Sequence, residues 1–263
     1  MSRKLSIVQS PVDSRDWVLE SIINYNNYVP TQLDLRNKLL PVRDQGPYGT
    51  CAAMTAACIK EYQEKIDINN NSYFSPGFVY LNREDKTSEG MYPRDVMRIL
   101  STLGDCLDSY LPYSKFNKNK ITNDCIKNAL NFKIRGYSQI TTIDGLKKAL
   151  YLYGPCLVAF PVYNYGMKIW HKNKDDAFLG GHAMTIVGYN RKSFIIRNSW
   201  GNKWGDKGYT YYDFNEFGAH WEIWTLVDAA TKVNKGKIKS KASLIKQNAI
   251  IKRNEKRLVN RTK

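Results

Sequence analysis

Helical patterns give way to strand patterns at one point of the chain, the dipeptide Gly154-Pro155. Before it, three segments predict helices: 51–65, rich in alanine and free of Gly and Pro, about 93–103, and about 143–153. After it, five short β-branched and aromatic segments predict strands: 157–160, 183–189, 193–197, 209–214 and 221–227. This segregation predicts an α+β fold with two lobes, whose cleft is a natural place for a site.

Positive charge is concentrated at the end of the 263-residue chain. The net charge is +16, but residues 231–263 hold twelve Lys or Arg and one acid, and so carry +11 of it. Residues 31–230 contain all the long patterned elements, and residues 1–30 show little periodicity. We therefore divide the chain into an N-terminal extension (1–30), a folded domain (31–230) and a basic, disordered tail (231–263).

The tail has two interpretations that the sequence leaves open. Leu244, Ile251 and Leu258 recur every seven residues, which suits a basic amphipathic helix formed on binding. The tail would then attach without sequence preference to nucleic acid or another polyanion, with salt-sensitive affinity. The alternative is a disordered tail that only improves solubility.

Several classes of protein are disfavoured by composition. No apolar run approaches the roughly 18 residues that a membrane-spanning helix needs. The first four residues carry the charge of a signal peptide, but polar residues follow where its apolar stretch belongs. The five cysteines are an odd number without a CxxC pair, which favours reduced thiols over disulfides or a zinc site. We expect an intracellular protein, or one packaged from there into a virion, with no metal and no cofactor.

A reactive cysteine is predicted by residues 44–53, DQGPYGTCAA, where a Gly/Pro-rich loop runs into a helix that begins at Cys51. A helix N-terminus offers unpaired amides and partial positive charge, which favour the thiolate. Gln45 precedes Cys51 by six residues, so its amide could turn back and form an oxyanion hole with the Cys51 N–H. Alternatively, Cys51 is a buried structural cysteine and Gln45 a solvated loop residue.

A base for this thiol is found among only three histidines. His182 follows a glycine pair at the start of an apolar strand, whereas His171 lies in a charged loop and His220 beside a tryptophan near a turn. Asn198 ends another strand, and its side-chain oxygen can accept from an imidazole N–H and fix the tautomer. Trp200 could cover that hydrogen bond. We predict His182 as the base and Asn198 as the residue that orients it.

Three ordered blocks, the Gln…Cys loop and helix at 44–53, the Gly-Gly-His at 180–182 and the Asn-Ser-Trp-Gly at 198–201, resemble the papain-like cysteine peptidases. The resemblance covers about residues 31–230, and three blocks in the right order are far more specific than any one. It implies a helical N-terminal lobe with Cys51, a β-barrel-like C-terminal lobe with His182 and Asn198, and an active site in the cleft between them. It also implies Gln45 as oxyanion donor and peptide hydrolysis through an acyl-enzyme.

The sequence departs from the family pattern at the nucleophile and at the N-terminus. Tyr48 stands where secreted members have a disulfide-bonded cysteine, so the chain is closer to disulfide-free microbial and viral relatives. The extension of 30 residues is shorter than the usual helical inhibitory propeptide. We therefore expect an enzyme that is made active, or that is controlled by a partner or by where it is stored.

Substrate-binding residues follow from position alone: Met91, Tyr92, Gly181, Ala183 and Trp200. The pocket they form is expected to take an apolar side chain two residues before the scissile bond of a protein or peptide substrate.

Two other functions remain open. One is a Cys-His amidase or acyltransferase of another substrate class, because a fold does not determine the substrate. The other is a catalytically silent papain-like scaffold with a polyanion-binding tail.

Overall fold

Most helices precede most strands, as the sequence predicts. The computed structural model describes residues 4–23, 29–118 and 120–229. Its five α-helices are α1 Cys51–Ile68, α2 Pro76–Leu81, α3 Pro93–Thr102, α4 Asn123–Ala129 and α5 Ile143–Tyr153. Its seven strands are β1 Leu33–Asp34, β2 Ile134–Gln139, β3 Cys156–Val162, β4 Gly180–Tyr189, β5 Ser193–Arg197, β6 Tyr209–Asp213 and β7 Glu222–Asp228.

All seven strands belong to one antiparallel sheet. Its order is β2-β7-β3-β4-β5-β6, and the short β1 pairs with the far end of β4. Strand β4 is therefore paired with three others, and it is buried along nearly its whole length. Helices that pack on an antiparallel sheet confirm the predicted α+β architecture with two lobes.

Strand β3 separates two hydrophobic cores. Leu157 and Ala159 belong to the core that α1, α2 and α3 build, whereas Val158 and Phe160 belong to the core that includes Trp170 and helix α5. Successive side chains of a strand point to opposite faces, so one strand serves both cores. The sheet thus forms the wall between the helical lobe and the lobe built on the other face.

Helix α1 is the central helix of the first lobe. Its first ten residues are all buried, and they include four alanines, whose small side chains allow close packing on β4. Asn69 ends the helix in the left-handed conformation at φ 55°, and its N–H reaches the Lys65 carbonyl. The helix therefore holds its N-terminal residue, Cys51, in the interior.

Four of the named helices and strands were not predicted from the sequence: α2, α4, β1 and β2. Helices α2 and α4 have only six and seven residues, and each begins with a side-chain cap: Ser75 accepts from the Phe78 N–H and Thr122 from the Cys125 N–H. Elements this short carry too little periodicity to be recognised in the sequence.

The basic tail, 231–263, lies outside the described residues, and so do its two interpretations; the proposed domain boundaries stay predictions. In the described ranges, no helix is both long enough and apolar enough to cross a membrane. The same ranges contain no group of three or more His, Cys, Asp or Glu arranged to hold a metal ion.

A buried lysine joins α1 to the last strand, and its removal is expected to destabilise the protein. Lys60 Nζ lies 2.9 Å from a Glu64 carboxylate oxygen and 2.6 Å from an Asp228 oxygen, and the Lys60 side chain is fully buried. Lys60→Met would leave two carboxylates without their cation, so the free energy of unfolding should fall by about 3–5 kcal/mol.

The measurement is urea denaturation followed by circular dichroism. Lys65→Met on the same helix is the matched control and should change the free energy of unfolding by less than about 0.5 kcal/mol. Equal effects of both variants would contradict the assignment of a stabilising role to the buried ion pair.

Candidate active site

Cys51 lies at an open helix N-terminus. The side chain of Thr50 does not cap the helix, because its hydroxyl pairs with the Tyr113 hydroxyl at 2.6 Å. The first turn also contains no acidic residue. The backbone N–H groups of Cys51 and Ala52 face the thiol instead. The positive end of the helix dipole is therefore directed at the sulfur, as the sequence predicts.

The thiol is deeply buried in this state. Cys51 is only 1% exposed, and burial raises the pKa of its thiol. Backbone N–H groups from Ala183, Ala52, Cys51 and Ser6 act in the opposite direction, since they favour the thiolate. Burial dominates, so the neutral thiol is favoured while the site stays covered.

The side chains of His182 and Asn198 form a buried pair. His182 Nε2 lies 2.7 Å from Asn198 Oδ1, and that oxygen also accepts the Ser199 N–H at 2.7 Å. Because an amide oxygen only accepts, Nε2 carries the proton and Nδ1 is the ring nitrogen suited to proton transfer. Trp200 packs on the imidazole with ring centroids 4.5 Å apart, which shields the pair as expected.

Packing of α1 on β4 brings the thiol to the histidine strand. The backbone N–H of Ala183, the residue after His182, is among the groups that act to lower the pKa of the Cys51 thiol. Cys51 and Ala183 also share one hydrophobic core. The structure therefore places the predicted nucleophile beside the strand that carries the predicted base.

Gln45 is tied to the turn that carries Asn198. It is fully buried, and its Oε1 accepts from the Ser199 hydroxyl at 2.7 Å while its Nε2 donates to the Tyr48 carbonyl at 2.9 Å. The Gln45 N–H also donates to the Ser199 carbonyl. Gln45 is thus not a solvated loop residue. Ser199, which the sequence analysis did not single out, is what anchors it; its position directly after Asn198 was the available signal.

Part of the N-terminal extension lies across the site. The Ile7 N–H donates to the Gly181 carbonyl and the Val8 N–H to the Met91 carbonyl, both at 3.2 Å. Ile7 and Met91 form a parallel bridge, so the extension pairs with both Met91 and Gly181. These few residues cover the thiol without any helical domain, and the expectation of an enzyme that is made active, or controlled by a partner or by where it is stored, stays a prediction.

The extension is packed closely against the cleft. The Ser6 carbonyl oxygen lies so close to Gly90 that a Cβ there would come within 1.9 Å of it, and the Ile7 carbonyl oxygen lies close to Gly181 in the same way. Residues 6 and 7 therefore fill this part of the cleft.

Three of the five predicted pocket residues surround Ile7, which is 3% exposed. Met91 and Ala183 share a core with Ile7, and a Cβ at Gly181 would come within 2.4 Å of the Ile7 carbonyl oxygen. The lining is apolar, which suits an aliphatic side chain. The missing Cβ of Gly181 is what leaves room for the extended backbone.

The other two predicted pocket residues stay predictions. Tyr92 precedes α3 as its N-cap, and Trp200 packs on His182. Trp221, which the sequence analysis did not select, also lies at the pocket: its ring edge would lie 2.4 Å from a Cβ at Gly181.

The remaining histidines behave as the sequence predicts. His171 is exposed, and the Nδ1 of His220 lies 2.8 Å from the Tyr212 hydroxyl inside the second lobe. Burial lowers the pKa of His220 to about 4, so it stays neutral near neutral pH. Both lie outside the Cys51–His182–Asn198 arrangement.

Comparison with known proteins agrees with this fold and arrangement. The family model of the papain family cysteine proteases matches residues 29–225. Mouse cathepsin K is 31% identical over 209 residues, which is 73% of this chain and 62% of that protein. An uncharacterized peptidase C1-like protein of Acanthamoeba polyphaga mimivirus is also 31% identical, over 63% of this chain and 62% of its own length.

A solved structure is similar over most of the chain. The crystal structure of xylellain, a cysteine protease from Xylella fastidiosa, superposes with a TM-score of 0.74 at 27% sequence identity, covering 87% of this chain and 98% of that one. The chain belongs to the papain family of cysteine proteases, and the papain-like fold is confirmed. It matches about six tenths of the length of the two curated relatives named above.

Displacing the extension is expected to uncover the thiol. Ile7→Glu places a charge among apolar side chains and should expel the segment in the full-length chain. Burial of an isoleucine stabilises by roughly 1.5–3 kcal/mol, so alkylation of Cys51 should accelerate by about tenfold or more. The rate is followed with iodoacetamide and peptide mass spectrometry.

Val12→Glu is the matched control. Val12 belongs to the same extension but is fully exposed, so the same charge there should leave the rate unchanged. Equal acceleration by both variants, or by neither, would contradict the covering role of Ile7.

Proposed function

We infer that the chain is a cysteine endopeptidase in which Cys51 is the nucleophile, His182 the base and Asn198 the residue that orients the base. The observation that carries this inference is the buried His182–Asn198 hydrogen bond beside a thiol at a helix N-terminus. A thiol, a base and an orienting oxygen supported by three different elements form the arrangement that nucleophilic catalysis needs. The substrates are proteins or peptides.

Catalysis proceeds in two halves. The Cys51 thiolate attacks the scissile carbonyl carbon, and a C–S bond forms while the carbonyl oxygen becomes an oxyanion. His182, protonated at Nδ1, gives its proton to the leaving nitrogen as the C–N bond breaks. His182 then takes a proton from water, the resulting hydroxide adds to the thioester, and the C–S bond breaks to release the acid and the thiolate.

The oxyanion is stabilised by two N–H groups. One is the backbone N–H of Cys51, and the other belongs to the Gln45 side-chain amide. This amide has two N–H groups, of which one donates to the Tyr48 carbonyl and the other can donate to the oxyanion. The Ser199 hydroxyl holds the opposite end of that amide. The donor is therefore fixed before a substrate arrives.

The same cleft accounts for the control of the activity and for the substrate preference. Residues 6–8 keep the enzyme blocked until they are displaced, since the thiol that they cover is neutral and buried. Ile7 marks the apolar pocket lined by Met91, Gly181, Ala183 and Trp221, which favours substrates with an aliphatic side chain two residues before the scissile bond.

We further propose that the protein works in a reducing compartment, inside a cell or packaged into a virion. All five cysteines lie in the described residues, and each is buried and unpaired. A secreted protein of this size that relied on disulfides would pair them.

Selective labelling of Cys51 tests the nucleophile. An epoxysuccinyl inhibitor is expected to react at Cys51, faster in Ile7→Glu than in the unaltered chain. Burial raises the pKa of Cys58, Cys106 and Cys156, so these thiols should stay unmodified. Adding His182→Ala should slow labelling by about 10²-fold or more.

Hydrolysis of an unfolded protein separates the alternatives. The peptidase releases new amino termini with water as acceptor, whereas an acyltransferase requires an added amine or sugar. Labelling of Cys51 no faster than the other cysteines would favour the silent scaffold and contradict the enzyme.

Loss of the oxyanion donor is expected to lower kcat with little change in KM. Gln45→Ala should reduce kcat by about 10²–10³-fold, because the donor acts mainly in the transition state. Ser199→Ala should reduce kcat by about tenfold, since it removes one hydrogen bond that holds the donor. Steady-state kinetics in the Ile7→Glu background measure both; an effect on KM alone would contradict the role.

A further inference from the structure

Of the two polar atoms of the Asn198 side-chain amide, only the oxygen has hydrogen-bond partners in the described part of the chain. Its oxygen accepts from His182 Nε2 and from the Ser199 N–H, both at 2.7 Å. Its nitrogen, Nδ2, is buried and finds no acceptor in the described part of the chain. A buried donor without a partner costs about 1–3 kcal/mol, so such a group in a folded protein calls for an explanation.

A small polar chamber adjoins this amide, behind the catalytic pair. Its volume is about 20 Å³, measured as room for a water-sized sphere, and its lining includes Asn198, Glu61, Cys58, Thr185, Arg43 and Arg197. About 10–15 Å³ on this measure is enough for one water molecule, provided that polar groups surround it. The chamber therefore has room for one water and the polar lining that a buried water needs.

Glu61 supplies an acceptor in the chamber. Its carboxylate is buried, and both hydrogen bonds that it accepts, from Arg43 Nη2 at 2.7 Å and from the Phe74 N–H at 3.2 Å, go to Oε1. Oε2 is therefore available to a further donor. The guanidinium of Arg197, which also lines the chamber, donates to the Leu40 and Pro41 carbonyls instead.

We propose that the chamber holds one ordered water, which accepts from Asn198 Nδ2 and donates to Glu61, and that Glu61 is thereby a positioning residue for His182. The water satisfies the amide nitrogen and holds the amide plane. Asn198 Oδ1 then stays directed at His182 Nε2, and the imidazole keeps the orientation that stabilises its protonated form.

Helix α1 makes this arrangement rigid. Cys51, Cys58 and Glu61 are spaced by seven and three residues, so they lie along one face of the helix. The nucleophile and the group that positions the base through the water therefore belong to one element, and their separation is set by helix geometry.

The first test is a high-resolution crystal structure of the full chain. An ordered water within hydrogen-bond distance of Asn198 Nδ2 and of Glu61 is the expected result. A dry chamber, or a water that contacts neither group, overturns the proposal, and this measurement needs no variant.

The second test compares Glu61→Gln with Asp108→Asn. Both carboxylates lie beside Arg43, but the Asp108 oxygen is 3.6 Å from it and Asp108 does not line the chamber. The rate of Cys51 alkylation is measured against pH in the Ile7→Glu background. Glu61→Gln should lower the rate at neutral pH by about tenfold and shift the midpoint of the profile. The reason is that Asn198 then no longer holds His182 in the orientation that stabilises its protonated form.

Asp108→Asn should keep the profile of the parent. Equal profiles for Glu61→Gln and the parent, or equal shifts for both variants, overturn the positioning role. The inference rests on the proposed function, but the failures differ: absence of fast Cys51 labelling in the parent rejects the peptidase, whereas a dry chamber rejects only the water.

Discussion

The close packing of α1 on β4 is the contact on which the site depends. Ala52, Ala53 and Ala56 are completely or almost completely buried on the helix, and Ala183 is buried on the strand. Small side chains on both elements let the backbones approach closely, so Cys51 and Ala183 share one hydrophobic core. Larger side chains at these positions would force the two lobes apart and separate the nucleophile from the strand that carries its base.

The sequence predicted those elements of the fold and the site that are determined by patterns within a short stretch of chain. The alanine-rich run that begins at Cys51, the apolar β4 and the turn after β5 each carry their own pattern, and together they indicated the helical lobe, the sheet lobe and the Cys51–His182–Asn198 arrangement. Helices α2 and α4 were not predicted because they are short and depend on their caps. The position of Trp221 beside Gly181 was not predicted because packing against distant residues decides it.

The covering segment could not have been predicted from its own residues. Backbone groups of residues 7 and 8 make its hydrogen bonds, and any residue except proline offers the same donor. The signal lies in the cleft instead, where Gly49, Gly90 and Gly181 each leave out a Cβ that would collide with residues 6 and 7. Three separate glycines facing one groove indicate that an extended chain must pass through it, whether a substrate or the protein's own N-terminus.

Asn198 stands between two different environments. Towards the cleft it holds His182 under the cover of Trp200, and towards the interior its amide nitrogen faces the chamber that Glu61 lines. Under the proposed function, displacement of residues 6–8 would change only the first environment, because it would remove the burial that raises the pKa of the Cys51 thiol. The His182–Asn198 hydrogen bond involves no residue of that segment, so we expect the histidine to be oriented before the cleft opens.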